Sequence, residues 1–184
     1  MKRSKKIIVA CHCLLNANAK VTPLAVYPGV LREVMDRFIE QGAGIVQLPC
    51  PESSYLGVNR WGMCFEQYNH PNYQRHCKRI LEPYVDQLEA FAAGGYEIMG
   101  VIGADGSPNC GVTKIPSGLT GGVIRDREMV EAQLETFEYL KGTGVFLTQF
   151  KKMLEERGLS IPFMAVDEND PSSIITNNQG EQNE

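Results

Sequence analysis

The stretch Lys6-Ile7-Ile8-Val9-Ala10-Cys11, followed at once by His12-Cys13-Leu14-Leu15-Asn16, decides the fold. A near-continuous apolar run rich in β-branched residues suits a strand buried on both faces, as in a parallel sheet. Residues 44–49, 96–103 and 161–166 repeat the pattern. Helical periodicity falls between them. It predicts helices over 30–41, stopped by Gly42, over 73–93, stopped by Gly94-Gly95, and over 144–157, stopped by Gly158. A further helix is predicted over 127–140, with no strand before it. Strand–helix alternation predicts a single α/β domain over 1–170, with helices on both faces of a parallel sheet of about four strands. Right-handed crossovers favour the order 2-1-3-4. The stretch 171–184 is polar, rich in Asn, Gln and Glu, and reads as a disordered tail.

Composition narrows the partners. The chain has 184 residues, 43% hydrophobic and 22% charged, with a net charge of −4. That size fits one domain, and that charge leaves no basic footprint for nucleic acid. A basic leader, MKRSKK, precedes a short apolar run and loosely imitates a signal peptide. The run carries His12 at its middle and reads better as the first buried strand. No stretch approaches the ~20 apolar residues of a membrane span. The expectation is a cytoplasmic protein without membrane or nucleic-acid partners.

Six cysteines occur: Cys11, Cys13, Cys50, Cys64, Cys77 and Cys110. In a reducing compartment such residues are more often buried, metal-binding or catalytic than disulfide-bonded. Cys13, Cys50 and Cys110 each fall at or just beyond the carboxyl end of an expected strand. Open α/β sheets bind ligands there, where the strand order reverses. The order 2-1-3-4 brings all three to one crevice. Proline and glycine beside Cys50 and Cys110 expose backbone N–H groups suited to an anionic cluster. Three protein ligands leave one metal position open, the logic of a catalytic site. The competing reading makes each cysteine a small buried hydrophobe. Cys11, Cys64 and Cys77 read as structural, although Cys11 or Cys64 is a candidate fourth ligand. His12, His70 and His76 show no regular metal spacing.

Three segments carry a resemblance: Cys13-Leu14-Leu15-Asn16, Cys50-Pro51-Glu52 and Ser107-Pro108-Asn109-Cys110-Gly111. Together, in this order, they resemble the thiouracil desulfidase (TudS-like) family. Residues 55–63, Tyr-Leu-Gly-Val-Asn-Arg-Trp-Gly-Met, resemble a TudS-related subgroup of desulfidases. The resemblance runs from about residue 5 to 168 and is weak over 113–143. It implies a [4Fe–4S] cluster held by Cys13, Cys50 and Cys110. The implied chemistry is non-redox removal of sulfur from a small thiocarbonyl compound, giving the oxo product and sulfide. It also implies Glu52 as the acid/base carboxylate and Ser107 as the second catalytic residue. Asn16 and Asn109 depart from the commoner Gly and Ser, and the stretch after Glu52 departs as well. These departures surround the expected substrate pocket.

Without the resemblance, Glu52 reads as a helix-start carboxylate and Ser107 as a turn residue before proline. Asn16, Tyr55, Arg60 and Trp61 are the candidate substrate contacts, the last three as a patch for stacking a flat heterocycle. Gly121-Gly122 is a weak candidate anion loop, and residues 113–143 are a candidate lid. Two other functions compete. One is a cluster- or zinc-binding sensor or sulfur carrier, closed by a fourth ligand. The other is a dehydratase-type enzyme acting on a hydroxy acid.

Overall fold

The computed structural model describes residues 2–123 and 126–177 of the chain, with backbone alone at 175–177. In chain order, the elements are β1 (Lys6–Ala10), α1 (His12–Leu15), α2 (Arg32–Glu40), β2 (Gly44–Gln47) and α3 (Pro51–Leu56). Next come α4 (Phe65–Tyr68), α5 (Pro71–Ala93), β3 (Glu97–Ala104) and β4 (Lys114–Ser117). Then follow α6 (Arg127–Glu135), β5 (Glu138–Lys141), α7 (Val145–Glu156), β6 (Phe163–Asp167) and β7 (Asp170–Asn177).

The main sheet has the order β2-β1-β3-β6-β7. Its first four strands are parallel and match the expected order 2-1-3-4. The fifth corrects the sequence reading. Strand β7 pairs antiparallel with β6, so the tail expected from 171 is a strand as far as Asn177. Residues 178–184 lie outside the described residues. The polar composition misled because an edge strand can leave one face to water.

β1 is an interior strand, with Ile8, Val9 and Ala10 fully buried. Two neighbours and two covered faces explain its unbroken apolar run. The connections step from β1 to β2 in one direction and from β2 to β3 in the other. Right-handed crossovers therefore put α2 on one face and α5 on the other. α7 packs against α5, on that second face.

Residues 113–143 hold a second, two-stranded sheet made by β4 and β5, with α6 between them. The helix expected over 127–140 thus ends at Glu135, and Glu138–Lys141 pairs with Lys114–Ser117 instead. At Gly121-Gly122, the weak candidate for an anion loop, the Thr120 and Gly121 N–H groups instead donate to Gln133 Oε1 at 2.8 and 3.0 Å. Among the described residues no helix is long and apolar enough to cross a membrane.

Candidate active site

The site is built at the carboxyl ends of β1, β2 and β3. β1 stays paired to its end, where the Cys11 N–H donates to Ile102 O at 3.0 Å. The chain then turns into α1, which carries Cys13. Beyond β2, Cys50 caps α3: its Sγ accepts the Ser53 N–H at 3.4 Å, and Pro51 occupies the first turn. Beyond β3 the chain folds back tightly. Gly103 permits this, because a Cβ there would stand 2.4 Å from the Cys110 carbonyl oxygen. Ser107 Oγ accepts the Asn109 and Cys110 N–H groups at 3.3 and 3.0 Å. Asp105 Oδ1 accepts those of Val112 and Thr113 at 2.8 and 2.9 Å. The Cys110 loop is therefore fixed by its own side chains.

Cys13, Cys50 and Cys110 line one cleft of about 380 Å³, together with Glu52, Arg60 and Ser107. Glu52 is held from two sides. Arg60 Nε donates to its Oε2 at 3.1 Å, and Asn109 Nδ2 donates to its Oε1 at 3.0 Å. The Arg60 and Glu52 side chains are only 5% and 15% exposed. Arg60 also reaches the Ala19 and Gly57 carbonyls at 2.7 and 3.1 Å. That arginine ties the Cys13 segment to the Cys50 segment through the carboxylate. Asn109 Oδ1 and the hydroxyls of Tyr68 and Tyr73 are buried without a hydrogen-bond partner among the described residues. Burial pushes both phenols well up, and the charge of Glu52 adds to the effect.

The thiols share one electrostatic field. Burial, then Cys110 and Glu168, hold Cys13 well above the ordinary thiol range, while Lys20 pulls it back. Contact with Cys11, then burial, holds Cys110 up as well. Cys11 lies behind the cleft, fully buried. The Cys110 contact draws its pKa down, but burial and the Cys13 and Cys50 thiols leave it raised. Bringing thiolates together without a cation is unfavourable, so this set suits a guest that brings metal cations to the sulfurs.

Among the described residues, no three His, Cys, Asp or Glu side chains are gathered to hold a metal ion. A cluster asks for a wider set, because each thiolate binds a different iron. Three thiols lining one cleft, with the Ser53 N–H on Cys50 Sγ, are compatible with such a guest in their chemistry.

The structure separates the expected substrate contacts. Arg60 lines the cleft. Asn16 instead knits the turn after Cys13, accepting from the Asn18 N–H at 3.3 Å and standing 3.4 Å from His12 Nε2. Tyr55 packs edge-on against Tyr73 at 5.1 Å, and its hydroxyl accepts from Asn72 at 2.6 Å. Trp61 is 74% exposed and borders an adjoining apolar hollow with Leu119 and Met129 rather than the cleft itself. The stacking patch of Tyr55, Arg60 and Trp61 is therefore not formed. Cys64 and Cys77 are buried outside the cleft lining, and burial pushes Cys77 up to about 12.

Sequence reasoning missed a second wall. Lys20, Glu168 and Asn169 line the cleft, and Glu168 is bonded to both Lys20 and the Tyr27 hydroxyl. One signal was available, since Glu168 directly follows the end of β6 and the strand-end rule applied to Cys13, Cys50 and Cys110 covers it too.

No family model and no solved structure matches the chain at a significant level. Among curated proteins, the chain is similar to the "Uncharacterized protein MJ0003" of Methanocaldococcus jannaschii. The two are 31% identical over 154 residues, which is 84% of this chain and 97% of the archaeal protein.

Proposed function

The chain belongs to the same family as MJ0003, and on that premise, reading the cleft by its own chemistry, we propose that it is a [4Fe–4S]-dependent desulfidase of the TudS-like kind. The reaction is the hydrolysis of a thiocarbonyl: water supplies the oxygen of the oxo product, and the sulfur leaves as hydrogen sulfide. The observation carrying this reading is that Cys13, Cys50 and Cys110 share one cleft with the doubly held carboxylate of Glu52. When bound, the cluster would supply a Lewis-acidic iron without a protein ligand, drawing the substrate sulfur and easing its departure.

The chain's own residues do the rest. Glu52 takes a proton from the attacking water and later gives it to the departing sulfur or a ring nitrogen. Arg60 and Asn109 fix the plane of its carboxylate, leaving its other lone pairs for water. Ser107 Oγ accepts two backbone N–H groups, so its own proton is free to donate to substrate or water. Lys20 offsets negative charge beside Cys13.

The test is purification without oxygen, followed by iron and sulfide analysis and a screen of thiouracils, thioamides and hydroxy acids. About four irons and four sulfides per chain, with sulfide released from a thiocarbonyl, support the proposal. One zinc and no colour, or a loaded protein inert to every thiocarbonyl, overturn it. Cys50→Ala is expected to lose the cluster absorbance. Glu52→Gln is expected to keep that absorbance and lose turnover by roughly a hundredfold or more.

One contact favours a second reading. Cys11 lies against Cys110, so a shift of the β1 end would offer a fourth thiolate and close the site into a sensor or sulfur carrier. Cys11→Ala separates the two. Under the open-site reading cluster content is unchanged, and under the closed-site reading it falls.

A further inference from the structure

The apolar hollow beside Trp61 has no part in the proposed cluster or acid/base chemistry. One side of it is Trp61, Gly62 and Met63, from the stretch between α3 and α4. Another is α6, through Met129, Val130 and Leu134. None of the residues of α6 is buried, and those three are exposed. Burial therefore does little to hold this helix in place, and hydrogen bonds do the work. Gln133 accepts the Thr120 and Gly121 N–H groups and donates to the Gly121 carbonyl at 2.7 Å. The Thr136 hydroxyl, just beyond the helix, donates to the Gly118 carbonyl at 3.1 Å. A surface helix ordinarily buries its apolar stripe against the core. This one keeps it open around a space of about 290 Å³. Exposed apolar side chains gathered around a concavity mark a binding site.

The position of the hollow says what fills it. Gly62 and Met63 line both the hollow and the thiol cleft. The way between the two is open, since a Cβ on Gly62 would meet nothing within 4 Å among the described residues. The two spaces differ in chemistry. The cleft presents thiols and the charged groups of Glu52 and Arg60, whereas the hollow presents mostly apolar side chains. A molecule that fills both is polar at its reacting end and apolar at the other. Size argues against a protein partner. A space of about 290 Å³ takes one ring or a branched chain, while a stable protein interface takes about 20–30 residues a side.

We propose that the hollow is a subsite for an apolar arm of the substrate, which crosses Gly62 from the thiol cleft and packs against Trp61, Met129 and Leu134. This rests on the desulfidase reading and narrows it. The substrate is a thiocarbonyl carrying an aryl or branched alkyl arm, and a compact thiocarbonyl without one is a poorer substrate.

The experiment compares 3-phenylpropanethioamide with thioacetamide on wild type, Leu134→Glu and Gly62→Leu prepared without oxygen. The two methylenes keep the ring from altering the reactivity of the thiocarbonyl. Leu134 is exposed, and Gly62 does not need the left-handed backbone region, so both variants are expected to fold. In wild type the arm is expected to raise kcat/KM about tenfold or more. Leu134→Glu puts a charge in the hollow, Gly62→Leu obstructs the way into it, and each is expected to bring the ratio of the two substrates close to one. A wild-type ratio near one, or a ratio that survives in both variants, overturns the proposal and leaves the desulfidase reading standing. If no thiocarbonyl is turned over, titration with 3-phenylpropanamide decides, read by the emission of Trp61, the chain's only tryptophan. A blue shift in wild type that is lost in Leu134→Glu assigns the hollow to an apolar arm without the desulfidase reading. No shift in wild type overturns it. A wild-type dimer that Leu134→Glu makes monomeric gives the hollow to a second copy and overturns the proposal as well.

Discussion

Asn109 is the residue through which packing reaches the acid side of the cleft. Its side chain donates to Glu52 at 3.0 Å, and its backbone is pressed against Gly144. A Cβ on Gly144 would stand 2.4 Å from the carbonyl carbon and oxygen of Asn109. Backbone cannot rotate out of the way as a side chain can. Gly144→Ala is therefore expected to cost about 1–3 kcal/mol or more in urea denaturation, and to lower turnover beyond that loss by shifting the amide from the carboxylate. Asn109→Leu separates the two effects. The Oδ1 of Asn109 is buried without a partner among the described residues, so removing the amide also removes an unmet polar group. Stability is expected to change by less than about 1 kcal/mol, while turnover falls about tenfold or more as Glu52 loses one of its two donors.

At the scale of elements, the contact between α3 and α5 controls the support behind Cys50. His76 of α5 is buried, and the Arg79 guanidinium donates to its Nδ1 at 3.0 Å. That bond requires an unprotonated Nδ1, so the ring proton sits on Nε2 and is donated to Ser54 Oγ at 2.9 Å. The Ser54 hydroxyl in turn donates to the Cys50 carbonyl at 2.7 Å. Burial, then Arg79, lowers the His76 pKa. The unfolded chain takes up this proton near pH 6.5 and the folded chain only at lower pH. The stability supplied by neutral His76 is thus full above pH 6.5 and lost as pH falls from there toward the folded pKa. Urea midpoints are expected to drop between pH 7 and 5, with a shallower drop in His76→Phe. The helix itself was legible in the sequence, from its amphipathic period to the stop at Gly94-Gly95. Strand β5 was not. Glu138-Tyr139-Leu140-Lys141 continues the period of α6, and only pairing with distant Lys114–Ser117 makes it a strand. Local preference carries no signal of such a partner.

For the whole molecule, convergence of the three thiols was legible because topology creates it. Each cysteine follows a strand, and the strand order could be argued from handedness alone. The stacking patch was not legible. Tyr55, Arg60 and Trp61 are close in sequence, but α3 ends at Leu56, and the turn beyond it points the three in different directions. The Lys20–Glu168 wall stayed hidden because its members are 148 positions apart. Strand β7 gives that division a consequence. The thiols follow the parallel strands β1, β2 and β3, whereas Glu168 and Asn169 occupy the tip of the hairpin made by β6 and β7 at the sheet's far margin. Grafting another tip there is expected to change which compound is accepted, read as a new order of kcat/KM values, while iron content stays constant. Under the proposed function, selectivity can then be altered at this rim while the thiol cleft is left as it is.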